Sequence, residues 1–104
     1  MSSYNLTPLH YASYIGCKDT VKLLLTAGAD PNSATTNELV PLHIAAKKAV
    51  PNDRADVVKL LLDAGARPDS TDAAGWTPLT WAIRRWNKEL IEIFFNARRG
   101  NREK

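Results

Sequence analysis

Thr7-Pro8-Leu9-His10-Tyr11-Ala12 returns as Val40-Pro41-Leu42-His43-Ile44-Ala45 and again as Thr77-Pro78-Leu79-Thr80-Trp81-Ala82. Pro8 to Pro41 is 33 residues, and Pro41 to Pro78 is 37. A second block recurs in phase: Val21-Lys22-Leu23-Leu24-Leu25, Val58-Lys59-Leu60-Leu61-Leu62, then Ile91-Glu92-Ile93-Phe94-Phe95. A third marks the exit from that block, as Ala27-Gly28-Ala29-Asp30-Pro31-Asn32 and Ala64-Gly65-Ala66-Arg67-Pro68-Asp69. Three blocks in fixed order at a period near 33 residues define a repeat array rather than one irregular globule.

Each block has a physical reading. The threonine hydroxyl of Thr-Pro can accept from a free amide in the first helical turn. Proline at the first helical position lacks an amide that would be unpaired there, and its ring presets the backbone angle. The helix that follows is short and rich in small residues, which lets a neighbour approach closely. A second helix carries Asp19, Asp56 or Glu89 near its positive end. Its apolar stripe reads Val21, Leu24, Leu25, then Val58, Leu61, Leu62, then Ile91, Phe94, Phe95, at i, i+3, i+4 spacing. Gly28 and Gly65 stand where a helix takes a left-handed C-terminal residue, and Pro31 and Pro68 prevent it from resuming.

One such helix pair cannot bury its own apolar face, so stacking on its neighbours must do so. The Thr-Pro-Leu-His-Tyr-Ala and Leu-Leu-Leu-Thr-Ala-Gly-Ala-Asp-Pro-Asn runs resemble ankyrin repeats, and the resemblance covers about Ser2 to Arg99. It implies an all-α solenoid of three stacked helix-turn-helix units with β-hairpin-like fingers at one end of the stack. A single domain, 1–104, is expected. Repeat one runs over about 3–35, repeat two over about 36–72 with a four-residue insertion near 49–53, and repeat three over about 73–100 before a basic tail, 101–104.

Composition narrows the class. No segment approaches the roughly 18 apolar residues of a membrane span, and no charged-then-apolar leader precedes Ser2, so an intracellular setting is expected. Cys17 is the one cysteine and cannot form an internal disulfide, which fits a reducing compartment. The net charge of +3 is uneven: residues 71–104 hold seven basic against four acidic side chains, whereas the first two thirds balance. An acidic partner near that end and a merely solubilising terminus both fit this excess.

Departures from the repeat pattern carry further expectations. Asn5 and Glu38 stand at finger tips where the family has glycine, and asparagine tolerates the left-handed region better than most residues. Asp72-Ala73-Ala74-Gly75 keeps the family's tip, so the third finger should be the best formed. Val40 replaces the capping threonine of repeat two. Pro51 should stop the first helix of that repeat near Val50. Trp86 replaces the glycine between the helices of repeat three, and Arg98-Arg99 replaces Gly-Ala after its second helix, which should then stop near Gly100.

Catalytic chemistry has no constellation here. By the family pattern His10 and His43 are structural, bonding to nearby backbone, and two histidines with no third ligand make no zinc site. Cys17 lacks a basic partner assembly that would mark a nucleophile. Gly16-Cys17-Lys18-Asp19-Thr20 lacks the leading glycine of a phosphate loop. No enzyme activity, metal or cofactor is expected.

Function should then reside in positions the scaffold leaves free, which the resemblance places at the finger tips and the exposed side of the first helices, lining a concave groove. These are Ser3, Tyr4, Leu6, Tyr14 and Ile15 in repeat one, Thr36, Asn37, Leu39, Lys47 and Lys48 in repeat two, and Ala73, Ala74, Trp76, Arg84 and Arg85 in repeat three. Tyrosine, tryptophan and arginine are the types enriched in interface hot spots. The expected partner is a protein or peptide segment with acidic character, bound by a monomer acting as adaptor, inhibitor or targeting domain. Two rivals remain. A nucleic-acid-associated protein would use Lys47, Lys48, Arg84, Arg85 and the basic tail with Trp76 and Trp86, but +3 is a modest charge and no recognised nucleic-acid module is present. A self-associating spacer would use the apolar last helix.

Overall fold

A computed structural model describes residues 6–47 and 53–103 of the chain. Among these residues six helices follow one another: α1 (Pro8–Ile15), α2 (Lys18–Thr26), α3 (Pro41–Lys47), α4 (Asp53–Asp63), α5 (Pro78–Arg84) and α6 (Lys88–Glu103). They form two layers. The first helices stack as α1 on α3 on α5, the second helices as α2 on α4 on α6, and each pair packs within its repeat. The structure is thus the all-α repeat solenoid that the resemblance implies.

The helix starts obey the sequence logic. Thr7 and Thr77 each accept from the amide three residues on, and each forms a capping box with the side chain of His10 or Thr80. Both helices begin on proline. Of the second helices, α6 is capped by Asn87, whose Oδ1 accepts from the Leu90 amide (3.1 Å).

The helix ends follow the glycines, with one instructive exception. Gly28 and Gly65 take φ of 100° and 102°, and the amides of Ala29 and Ala66 reach back to the carbonyls of Leu24 and Leu61, at 2.9 Å each. At the corresponding place in repeat three stand Arg98 and Arg99, with no proline three residues further on. Nothing there turns the backbone, so α6 passes through Gly100 and reaches Glu103 instead of stopping near Gly100. The expected end of α3 near Val50 lies outside the described residues, and α3 is described to Lys47.

The core runs along the stack between the layers. Leu9, Leu42, Val57, Val58, Leu61, Leu90 and Phe94 are essentially inaccessible. Ala12, Ala45 and Ala82, the small residues of the three recurring motifs, are buried where the layers meet. The stack also explains which faces differ between repeats. Val57 and Leu90 are buried against the preceding repeat, whereas Thr20, at the same position in α2, is polar and exposed. Conversely Ser13 and Ala46 are fully buried, whereas Ile83 at their position in α5 is half exposed.

Polar interlocks cross each repeat boundary. The Asn32 side chain donates to the Gly65 carbonyl (3.0 Å) and accepts from the Arg67 amide (2.9 Å). Lys18 pairs with Asp56 at 3.2 Å between α2 and α4, a half-exposed pair worth little. The Ala73 amide donates to the Asn37 carbonyl (3.0 Å), joining finger three to finger two.

Candidate functional site

The fingers are closed turns rather than strands, and no strand occurs among the described residues. In finger two the Thr35 amide donates to the Leu39 carbonyl (2.9 Å), and Thr35 Oγ1 accepts from the amides of Asn37 and Leu39 (3.2 and 3.1 Å). Asp72 repeats this device in finger three. Its amide donates to the Trp76 carbonyl (2.9 Å), and its Oδ1 accepts from the amides of Ala74 and Trp76 (3.0 and 2.9 Å). Gly75 takes the left-handed turn at φ 83°, while Glu38 is forced into it at 65°. Backbone closure is therefore shared, and the third finger lacks the strain of the second.

Buried imidazoles fix the fingers from behind. The Thr7 amide and hydroxyl both donate to His10 Nδ1 (3.2 and 2.8 Å), so Nε2 carries the proton and donates to the Leu39 carbonyl (2.8 Å). The Val40 amide likewise donates to His43 Nδ1 (3.1 Å), and His43 Nε2 donates to the Trp76 carbonyl (2.9 Å). Each histidine thus ties its own helix start to the finger of the next repeat. Burial pushes both imidazoles below their ordinary pKa, so both are neutral at pH 7. The structural role expected for these two side chains is the one observed.

On the face made by the fingers and the first helices, three predicted residues meet. Trp76 lies against Trp81 with ring centroids 4.6 Å apart and a tilt of 56°. The Arg84 guanidinium stands 4.8 Å from the Trp76 centroid, and Lys47 Nζ stands 5.1 Å from that of Trp81. Trp81 Nε1 donates to Asp72 Oδ2 (3.1 Å), which locks the indole to the finger. Burial works to raise the Asp72 pKa, but the donated hydrogen bonds from Trp76, Trp81 and Ala74 and the nearby His43 outweigh it and hold the carboxyl below its usual range.

The remaining predicted positions make no ring or cation contact with this cluster among the described residues. Tyr14 stacks on Tyr11 at 6.5 Å on α1, and Leu6, Tyr14 and Ile15 are about half exposed. Thr36, Asn37, Ala73, Ala74 and Arg85 are exposed, and Leu39 is half-buried with its carbonyl on His10. Ser3, Tyr4 and Lys48 lie outside the described residues.

Sequence reasoning overlooked Trp81, Tyr11 and Asp72 as parts of this face. A signal for the first two existed. Trp81 precedes Arg84, and Tyr11 precedes Tyr14, by three residues on a helix, a spacing that puts both members on one surface. Both belong to the recurring helix-start motif, which reads as scaffold. Asp72 was legible as a tip residue but not as the anchor of an indole five strides of chain beyond the finger's closing residue.

Comparison with known proteins agrees with this architecture. The family model described as ankyrin repeats, three copies, matches residues 9–103. The chain belongs to the ankyrin repeat family, whose repeats are generally protein–protein interaction modules. It is 52% identical over 42 residues to a transient receptor potential cation channel subfamily A member 1 homolog of Caenorhabditis elegans, covering 40% of this chain and 4% of that protein. It is 45% identical over 47 residues to the Homo sapiens channel subunit of that name, covering 45% and 4%. The putative ankyrin repeat protein FPV228 of Fowlpox virus is 46% identical over 43 residues, covering 41% and 8%. The chain therefore matches only a small part of the length of these relatives.

Proposed function

We propose that this chain is a non-catalytic binding module that holds a protein or peptide segment on the face formed by its fingers and first helices. One observation carries the reading. Leu6, Tyr11, Tyr14, Trp76 and Trp81 all remain half-buried to exposed along that face, while Leu9, Ala12, Leu42, Ala45 and Ala82 of the same helices are buried by the scaffold. Aromatic side chains left open on a rigid support are what interface anchors look like. Adaptor, inhibitor and targeting domain all fit such a module, working as a monomer inside the cell, where the exposed thiol of Cys17 suits a reducing medium.

The test is affinity capture from nuclease-treated cell lysate, comparing wild type with a Tyr14→Ala, Trp76→Ala, Arg84→Glu variant of verified helicity. A protein retained by wild type and lost by the variant supports the face. Proteins retained equally by both move the site elsewhere, with the exposed Ile83, Trp86 and Phe95 of the last repeat as the next candidates. Recovery that vanishes with nuclease favours the nucleic-acid reading.

A further inference from the structure

We infer that Lys47 and Arg84, each resting on a tryptophan, form a carboxylate-accepting site, and that the bound segment places an aspartate or glutamate beside an apolar residue there. The inference rests on the proposed binding face and names the chemistry of its occupant.

Two cations here carry charge that no described carboxylate cancels. Lys47 and Arg84 are both exposed, and among the described residues neither has a carboxylate within ion-pair distance. Asp72 is the acid within reach of the indoles, but it is consumed: Oδ1 accepts from two amides and Oδ2 from Trp81. A contact with an aromatic face holds a cation in place without neutralising it, because the ring offers a quadrupole and no net charge. The depression on the opposite layer provides a contrast. There Lys18, Lys22 and Lys59 are matched by Asp19, Asp56 and Asp63, so the surface balances itself.

Order is the second element. An exposed ion pair ordinarily gains little because two long side chains must be immobilised. Here each cation already has a seat 4.8–5.1 Å from a ring centroid. The Trp76 finger is fixed through its amide to Asp72 and through its carbonyl to His43. An arriving carboxylate therefore meets donors whose freedom is already reduced, the condition under which a charged contact adds affinity.

The third element is sign. Two cations and tryptophan faces that they already occupy repel a cationic or methylated-lysine ligand. The first helices and fingers of the preceding repeats also leave apolar surface partly open at Leu39, Tyr14 and Tyr11, which calls for an apolar residue near the acid. A polyphosphate chain would leave that surface unused, so a protein segment fits better than nucleic acid.

The experiment is selection of phage-displayed random dodecapeptides on wild type and on a Lys47→Glu, Arg84→Glu variant. Wild type should enrich peptides with Asp or Glu adjacent to a large apolar residue. Resynthesised, they should bind the variant on the order of tenfold more weakly or worse at about 0.1 M salt. Replacing their acids by Gln or Asn should weaken binding to unaltered wild type, which tests the idea even where the variant folds poorly. Peptides lost on Trp76→Ala yet indifferent to both charge changes would overturn the carboxylate site while leaving the face intact. Selection of no peptide would overturn both readings. A single-stranded DNA held more tightly than any selected peptide, with affinity collapsing as salt rises, would overturn the assignment to a protein segment.

Discussion

His43→Ala should destabilise the chain by about 3 kcal/mol at neutral pH, and the loss should shrink in acid. The magnitude follows from one group it strands and one it weakens. The buried Val40 amide loses its acceptor, and the Trp76 carbonyl loses one of two donors, keeping the Asp72 amide. An orphaned buried polar group costs about 1–3 kcal/mol, and a lost hydrogen bond about 1 kcal/mol. Val40 is 5% exposed, so its amide should lie toward the upper end of the orphan range, whereas half-buried Trp76 can rehydrate and adds about 1 kcal/mol or less. The imidazole's vacated volume adds to the loss where water does not fill it. For a domain of this size the sum corresponds to roughly 10–20 °C in Tm. The pH dependence has a fixed sign. Folding lowers the His43 pKa below its ordinary 6.5, so the unfolded chain binds more protons as pH falls through that value. The histidine's contribution is therefore present above pH 6.5 and declines below it, toward the folded-state pKa. Urea unfolding followed by far-ultraviolet circular dichroism, for wild type and variant at several pH values from neutral to mildly acidic, measures both. A loss under about 1 kcal/mol, or a gap between the two proteins that does not narrow in acid, refutes the role assigned to this side chain.

Other substitutions have equally definite outcomes. Asp72→Ala should cost about 2–4 kcal/mol by releasing two amides and an indole. Because folding depresses this carboxyl, its contribution should hold above its ordinary value of 3.8 and fade as pH falls through the lower folded-state value, read by denaturation in acid. Trp86→Gly should raise stability by about 0.5–1 kcal/mol, since Trp86 sits at φ 56° and is 87% exposed, and glycine's extra unfolded freedom offsets only part of the relief. A thermal melt showing a lower Tm would contradict it. Val40→Thr should supply the hydroxyl that caps α1 and α5, a gain of about 1 kcal/mol reduced by the loss of a buried methyl. An unchanged or lower Tm would mean that burial outweighs the cap.

Much of the scaffold was legible because each of its signals is local. Thr-Pro starts a helix through contacts within four residues, and Gly28 or Gly65 ends one through a single left-handed residue. The run of α6 past Gly100 shows the same logic in reverse: a glycine inside a helix does not end it unless the backbone there has reason to turn. The candidate face is half legible in the sequence. Positions outside the core follow from repeat phase, which picks out Trp76, Lys47 and Arg84 as candidates. Their convergence is not legible, because it depends on Trp81, whose indole is held by an aspartate from the finger and roofed by a lysine from the preceding repeat. Contacts across a repeat boundary leave no periodic trace in either repeat.

The imidazole interlocks have a consequence for how variants of this chain are read. Each histidine belongs to one repeat but grips the carbonyl of the next, so a fault is displaced by one repeat toward the C-terminus. Damage at position 43 should be felt at the Trp76 finger, and damage at position 10 at Leu39. A map drawn residue by residue would credit repeat two with a finger geometry that belongs to repeat three. Thr80 ends this relay, since its hydroxyl turns back to Thr77 and hands nothing onward.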